Sequence, residues 1–216
     1  MPRTELNCTL LSDGSSDKAL IPVLRWLLYR CLPNRPVQLR WADLRQLPRP
    51  PKELHERIAT SVQLYPCELL FVHRDAENPS TNDRRTEINH ALDEVRDTPS
   101  VIAVIPVRMM EAWLLIDETA IRKAADNPNG QVPLGMPKIG ETEDIADPKG
   151  LLHDLIRKAT GLSARRRKNF NVHSALHRVS EYIEDFSVLR QLPAFLALEE
   201  DLVDTIGRRA WNKENV

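Results

Sequence analysis

The stretch "CELLFVHRD" (67–75) is a nearly continuous apolar run that ends in charge. Such a run suits a central parallel strand covered on both faces, because no alternate position is left for solvent. Working outward, "ELNCTLL" (5–11) reads as another strand, stopped by Asp-Gly. Apolar residues at 20, 23, 24, 27, 28, 31 and 32 then make a helical stripe within 15–32. Pro22 falls inside that stripe, where it is tolerated only close to the helix start. "VQLRW" (37–41) is a short strand and 52–64 a helix. On the far side, the polar "AENPST" leads to a helix over 82–97, and "SVIAVIPV" (100–107) is a second buried strand. "RMMEAWLLIDETAIRKAA" (108–125) is helical in pattern.

Strand and helix therefore alternate four times, which predicts an α/β fold: a Rossmann-like parallel sheet with helices on both faces and right-handed crossovers. Residues 127–148 are rich in Pro, Gly and acids and carry little periodicity, which suggests a functional or mobile loop. Three helical patterns follow, at 149–160, 172–192 and 193–209. The expected organisation is an α/β core over 1–126, a loop over 127–148 and a helical C-terminal part over 149–216.

A net charge of −1 over 216 residues neither argues for a polyanionic partner nor excludes one, and any nucleic-acid site has to be a local patch. Cys8, Cys31 and Cys67 are widely spaced and lie in or beside apolar runs. They read as buried free thiols, which points to a reducing cytoplasm. No apolar run approaches the roughly 20 residues of a membrane span, so a cytoplasmic protein without membrane contact is expected. GxxxxGK[ST], GxGxxG and GxSxG are all absent, which argues against an ATPase, a dinucleotide enzyme or a serine hydrolase.

Open parallel sheets bind ligands beyond the carboxyl ends of their strands. The first strand ends in "SDGSSD", giving Asp13 and Asp17, and the third in "HRDAE", giving Asp75 and Glu77. Carboxylates gathered at one edge repel and need a cation or protons to coexist. Mg²⁺ suits such a place, taking one or two carboxylates plus substrate phosphate. Asp13 also makes sense as a turn residue and Asp17 as a helix cap. Glu111 follows the strand "SVIAVIPV" and either completes the acidic cluster or lies on an amphipathic helix. Lys149 either contacts phosphate or is a solvated first-turn lysine. Arg165, Arg166, Arg167 and Lys168, with Phe170 nearby, form the only dense basic run; it is a nucleic-acid contact or a solvated loop. His173 and His177 stand four apart on a helix and read as a polar face, having no third metal ligand. His73 is either packed at the strand end or an aid to proton transfer.

"LLSDGSSDKAL", "LLFVHRDAE", "IPVRMMEAWLLID" (105–117) and "DPKGLL" (147–152), in this order, resemble a group of small TOPRIM-like proteins, the DUF4276 family. That family is distantly similar to the TOPRIM domains of topoisomerases, primases and OLD nucleases. The resemblance covers most of 5–160 and implies a TOPRIM-like sheet and Mg²⁺- or Mn²⁺-dependent phosphodiester chemistry. Its metal ligands would be Asp13, Asp75 and Glu77, with Glu111 joining the catalytic set. Two departures stand out: Asp13 replaces the family's usual Glu, and Glu77 replaces an Asp. The length changes are opposite and preserve the carboxylate charge, so a retained metal cage is expected. The resemblance further implies nucleic acid as ligand and, in bacterial phage-defence settings, an ATPase partner; it leaves the oligomeric state, a homodimer included, open. Topoisomerase action is not expected, because Tyr29, Tyr65 and Tyr182 all sit in apolar patterns. The alternatives are a non-catalytic TOPRIM-like binding or adaptor module and, more remotely, a phosphatase or nucleotide hydrolase.

Overall fold

The structure, a computed structural model, describes residues 5–76 and 80–212. Its centre is an all-parallel sheet of β1 (Leu6–Leu11), β2 (Val37–Ala42), β3 (Leu69–His73) and β4 (Ser100–Val104), in the order β2-β1-β3-β4. β3, the strand of the opening quotation, is internal, and all five of its residues are buried. Leu10 of β1 stands opposite Trp41 and Phe71, and Phe71 stands opposite Ile102. Side chains alternate between two cores, as a pleated strand requires. Leu6, Cys8, Leu10, Leu69, Phe71, Ile102 and Val104 enter the larger one, while Leu11, Leu70 and Val72 enter the smaller.

α1 (Leu20–Cys31) covers the first face, and α2 (Leu54–Leu64) and α3 (Thr81–Asp93) cover the second through Ile58, Ile88 and Ala91. Pro22 is the third residue of α1, where its missing N–H would have had no intrahelical partner. α3 opens on a capping box: Ser80 Oγ accepts from Asp83 N at 3.1 Å, and Asp83 accepts from Ser80 N at 3.0 Å.

Three expectations need correction. The 15–32 stripe is a 3-10 turn, Ser16–Ala19, followed by α1. The 108–125 pattern is broken into a 3-10 segment, Met110–Leu114, and α4 (Glu118–Ala124). Asp117 caps α4 by accepting from Ala120 N at 3.0 Å. The helix expected over 172–192 stops at Tyr182. The remaining C-terminal helices are α5 (Pro148–Ala159), α6 (Ala164–Arg167), α7 (Val172–Tyr182) and α8 (Pro193–Arg209). Within 127–148, Leu134 and Thr142 are buried. Arg122 and Lys158 also donate to the carbonyls of Val132 and Leu134, at 2.7 and 3.0 Å, so this segment is tied to the body.

The C-terminal helices share the larger core with the sheet: Leu152, Ile156, Leu176, Phe195 and Leu202 pack in one cluster with Phe71 and Trp113. Trp113 meets Phe195 edge-on at 5.4 Å. The three cysteines are free; Cys8 is buried, whereas Cys31 and Cys67 are half-buried. No helix among the described residues is long and apolar enough to cross a membrane.

Candidate functional site

Parallel pairing sets the ends of β1 and β3 side by side. From β1 the chain first adds β2 on one side and later β3 on the other, so the order reverses here. Such switch points are where open α/β sheets bind ligands.

At this point His73, fully buried, lies between two acids. Its Nε2 is 3.1 Å from Asp75 Oδ1, and its Nδ1 is 3.5 Å from Asp17 Oδ2. The second approach is a charge contact, since Nδ1 has no aligned hydrogen-bond partner. Burial alone pushes the imidazole pKa down, but the two carboxylates outweigh it and raise it to about 9. His73 is therefore an imidazolium at neutral pH. Burial pushes the Asp17 carboxyl up, yet His73, the Gly14 N–H (2.7 Å) and Ser16 hold it below its ordinary value.

Asp75 receives a second bond on the same oxygen, from Met110 N at 2.9 Å. The chain reaches that position by a tight reversal. Met109 N–H bonds back to the Val107 carbonyl at 2.9 Å around Arg108, whose φ of 59° is unusual for a side chain of that size. The reversal also drives Glu111 inward, where it is 2% exposed. Burial raises the Glu111 carboxyl above the ordinary range; Lys149 opposes that and Asp75 adds to it. Lys149 Nζ lies 3.3 Å from Glu111 Oε1, but that oxygen is buried with no aligned hydrogen-bond partner. Lys149 comes from the first turn of α5, whose cap, Asp147, accepts from Gly150 N at 2.8 Å.

The remaining sequence-derived residues fall elsewhere. Asp13 is held by the guanidiniums of Arg57 on α2 and Arg74 after β3, the latter at 2.7 Å. Arg74 continues to Glu87 on α3, also at 2.7 Å. Glu77 lies outside the described residues. Asp75 and Glu111 are thus brought together, whereas Asp13 belongs to an arginine network. Among the described residues no three His, Cys, Asp or Glu side chains are grouped to hold a metal ion. Arg165, Arg166, Arg167 and Lys168 lie on or beside the one-turn α6, all exposed. His173 meets His153 of α5 edge-on, with ring centroids 5.2 Å apart. Motif patterns do not single out the Asp17–His73 pair. Its only sequence signal is a histidine at the end of a buried strand together with an acid in a neighbouring strand's turn.

Comparison of the chain with protein-family models, with curated proteins and with solved structures finds no match in any of the three.

Proposed function

We propose that this chain cleaves phosphodiester bonds of nucleic acid in a divalent-cation-dependent reaction at the carboxyl edge between β1 and β3. The observation that carries the proposal is the buried Glu111 beside Asp75, with a carboxylate oxygen that no hydrogen bond satisfies. Asp75 is held through one oxygen only, and 25% of its side chain stays accessible. Two carboxylates of this kind fit the donor set of Mg²⁺ or Mn²⁺, which takes one or two carboxylates and fills the rest with water and phosphate oxygens. Glu77 follows Asp75 by two positions in the sequence and would add a third. A bound cation supplies charge neutralisation on the phosphate and a more acidic water. His73 positions Asp75 through the 3.1 Å contact of its Nε2 with Oδ1. Lys149 balances Glu111 and offers an ammonium to a phosphate oxygen. An ATPase partner and a phage-defence setting belong to this proposal through the family resemblance alone.

The test is cleavage of single- and double-stranded DNA and RNA with Mg²⁺ or Mn²⁺, alongside the thermal shift that Mn²⁺ produces. Asp75→Ala is expected to abolish both, with rate losses of at least about 100-fold, the scale on which electrostatic catalytic groups act. A wild type that neither cleaves nor shifts would remove the enzymatic reading. A second reading, a non-catalytic TOPRIM-like binding module, draws on the Asp13 network, where two arginines already neutralise a residue expected to hold metal. It predicts nucleic-acid binding with no cleavage and no response to Mn²⁺.

A further inference from the structure

We infer that the depression at the carboxyl end of β2, beside Asp13, binds one unpaired nucleotide of a single strand, its base stacked on a Trp41–Arg45 platform. The cavity has a volume of about 190 Å³, and Ser12, Trp41, Arg45, Lys52 and Arg57 line it together with Asp13. Trp41 is anchored, its Nε1 donating to Ser12 Oγ at 3.0 Å. The Arg45 guanidinium lies 5.0 Å from the Trp41 ring centroid. Its plane is fixed by a fork onto Asp43, Nε to Oδ1 at 2.7 Å and Nη2 to Oδ2 at 2.8 Å. A tryptophan under a clamped guanidinium is a flat, electron-rich and cationic stack that is ordered before any ligand arrives. Nucleobases stack on such surfaces irrespective of sequence.

Charge selects the rest of the ligand. Three cations, Arg45, Lys52 and Arg57, face two acids, Asp13 and Asp43, and Lys52 has no ion-pair partner among the described residues. The cavity thus favours an anion attached to a ring, which a nucleotide provides. A duplex presents no unpaired base to so small a cavity. Asp13 pairs with Arg74, next to Asp75, so a base held here places the adjoining backbone along the same sheet edge. That last step rests on the phosphodiester proposal; nucleotide binding itself does not.

The experiment is fluorescence anisotropy of a short labelled oligothymidylate in EDTA, where no cleavage occurs. A blunt duplex and a free mononucleotide serve as competitors. Wild type is expected to bind the single strand well ahead of either competitor. Trp41→Ala is expected to weaken binding about 5- to 150-fold, the range for losing one stacked base. Trp41→Phe, which keeps the ring and loses the Ser12 bond, should stay within about 3-fold of wild type, because stacking carries the affinity. Arg45→Gln, at an exposed position, gives a loss of the same order as Trp41→Ala without disturbing the strand. Near-UV circular dichroism verifies that each variant is folded. Single-strand binding unchanged in both Trp41→Ala and Arg45→Gln overturns the assignment, as does absence of binding by wild type. Equal displacement by duplex, or by mononucleotide at equal nucleotide concentration, overturns the single-strand ligand. Cleavage with Mn²⁺ is measured separately: binding that depends on Trp41 without cleavage by wild type refutes the enzymatic proposal and leaves this one standing.

Discussion

With Asp17 on one side and Asp75 on the other, His73 keeps its proton to about pH 9, against an ordinary value of 6.5. A histidine whose folded pKa is raised contributes stability that is whole below 6.5, declines as pH rises and is gone above about 9. Asp17 works in the opposite sense: its folded pKa is lowered, so its contribution is present above its ordinary value and lost as pH falls. Unfolding in urea should therefore show stability falling on the order of 3 kcal/mol between pH 6.5 and 9. His73→Gln should flatten that slope. Glu111 gives a second prediction. Its folded pKa is raised, so the native state binds its proton more readily and stability grows as pH falls. Replacing Lys149 by Met removes the opposing charge. With Lys149 partly solvated, the cost should be about 1–2 kcal/mol at neutral pH, and should shrink as the pH falls and Glu111 takes up a proton. The acids themselves were legible, since Asp75 and Glu111 follow strands whose apolar runs are plain. The clamp was not, because Asp17 reads equally well as a helix cap and a strand-end histidine is usually just packed.

Helix starts carry the next level of control, and α5 matters most because it delivers Lys149. A Cβ on Gly150 would stand 2.2 Å from Asp147 Oδ2, so the cap and a side chain at that position exclude each other. Asp147→Ala should cost about 1 kcal/mol. Gly150→Ala should be close to neutral in the wild type, its gain of about 1 kcal/mol in helix propensity offset by the lost cap. In an Asp147→Ala background the same substitution should stabilise by about 1 kcal/mol, a non-additivity that a double-mutant cycle in denaturant measures directly. Elements with a clear period were readable at this scale. β3 declared itself as a buried run and α1 as a stripe, whereas β4, read as a buried strand, is an edge strand with only Ile102 and Val104 buried. "MEAWLL" misled for a physical reason: Met110 through Leu115 are all buried, so no solvent face exists to mark a helical or non-helical period. The stop of α7 at Tyr182 was hidden in a similar way. Ile183, Phe186 and Leu189 prolong the apolar spacing into a loop and a 3-10 turn that bury the same side.

At the scale of the molecule, the C-terminal helices form part of the hydrophobic interior that the sheet requires. Phe195 on α8 lies between Trp113 and Trp26, at 5.4 and 6.4 Å, and is fully buried. Phe195→Ala should cost about 3–5 kcal/mol. Far-UV and near-UV signals of the wild type should melt together, because one core serves both parts. The parallel α/β class followed from alternation of elements, but the order β2-β1-β3-β4 did not, and that order is what places His73 beside Asp17. Nothing in a single sequence says which strands become neighbours across some 60 residues of chain. The pairing of Lys149 with Glu111 has a consequence in time as well as in space. During synthesis Glu111 leaves the ribosome well before Lys149, and both precede the α7 and α8 residues that close the interior. A half-made chain thus carries Glu111 without its counter-ion, whereas His73 already accompanies Asp17 and Asp75. The pairing of Glu111 is thus a late event in the life of the chain, completed only once α5 has been made and has docked against the segment that carries it.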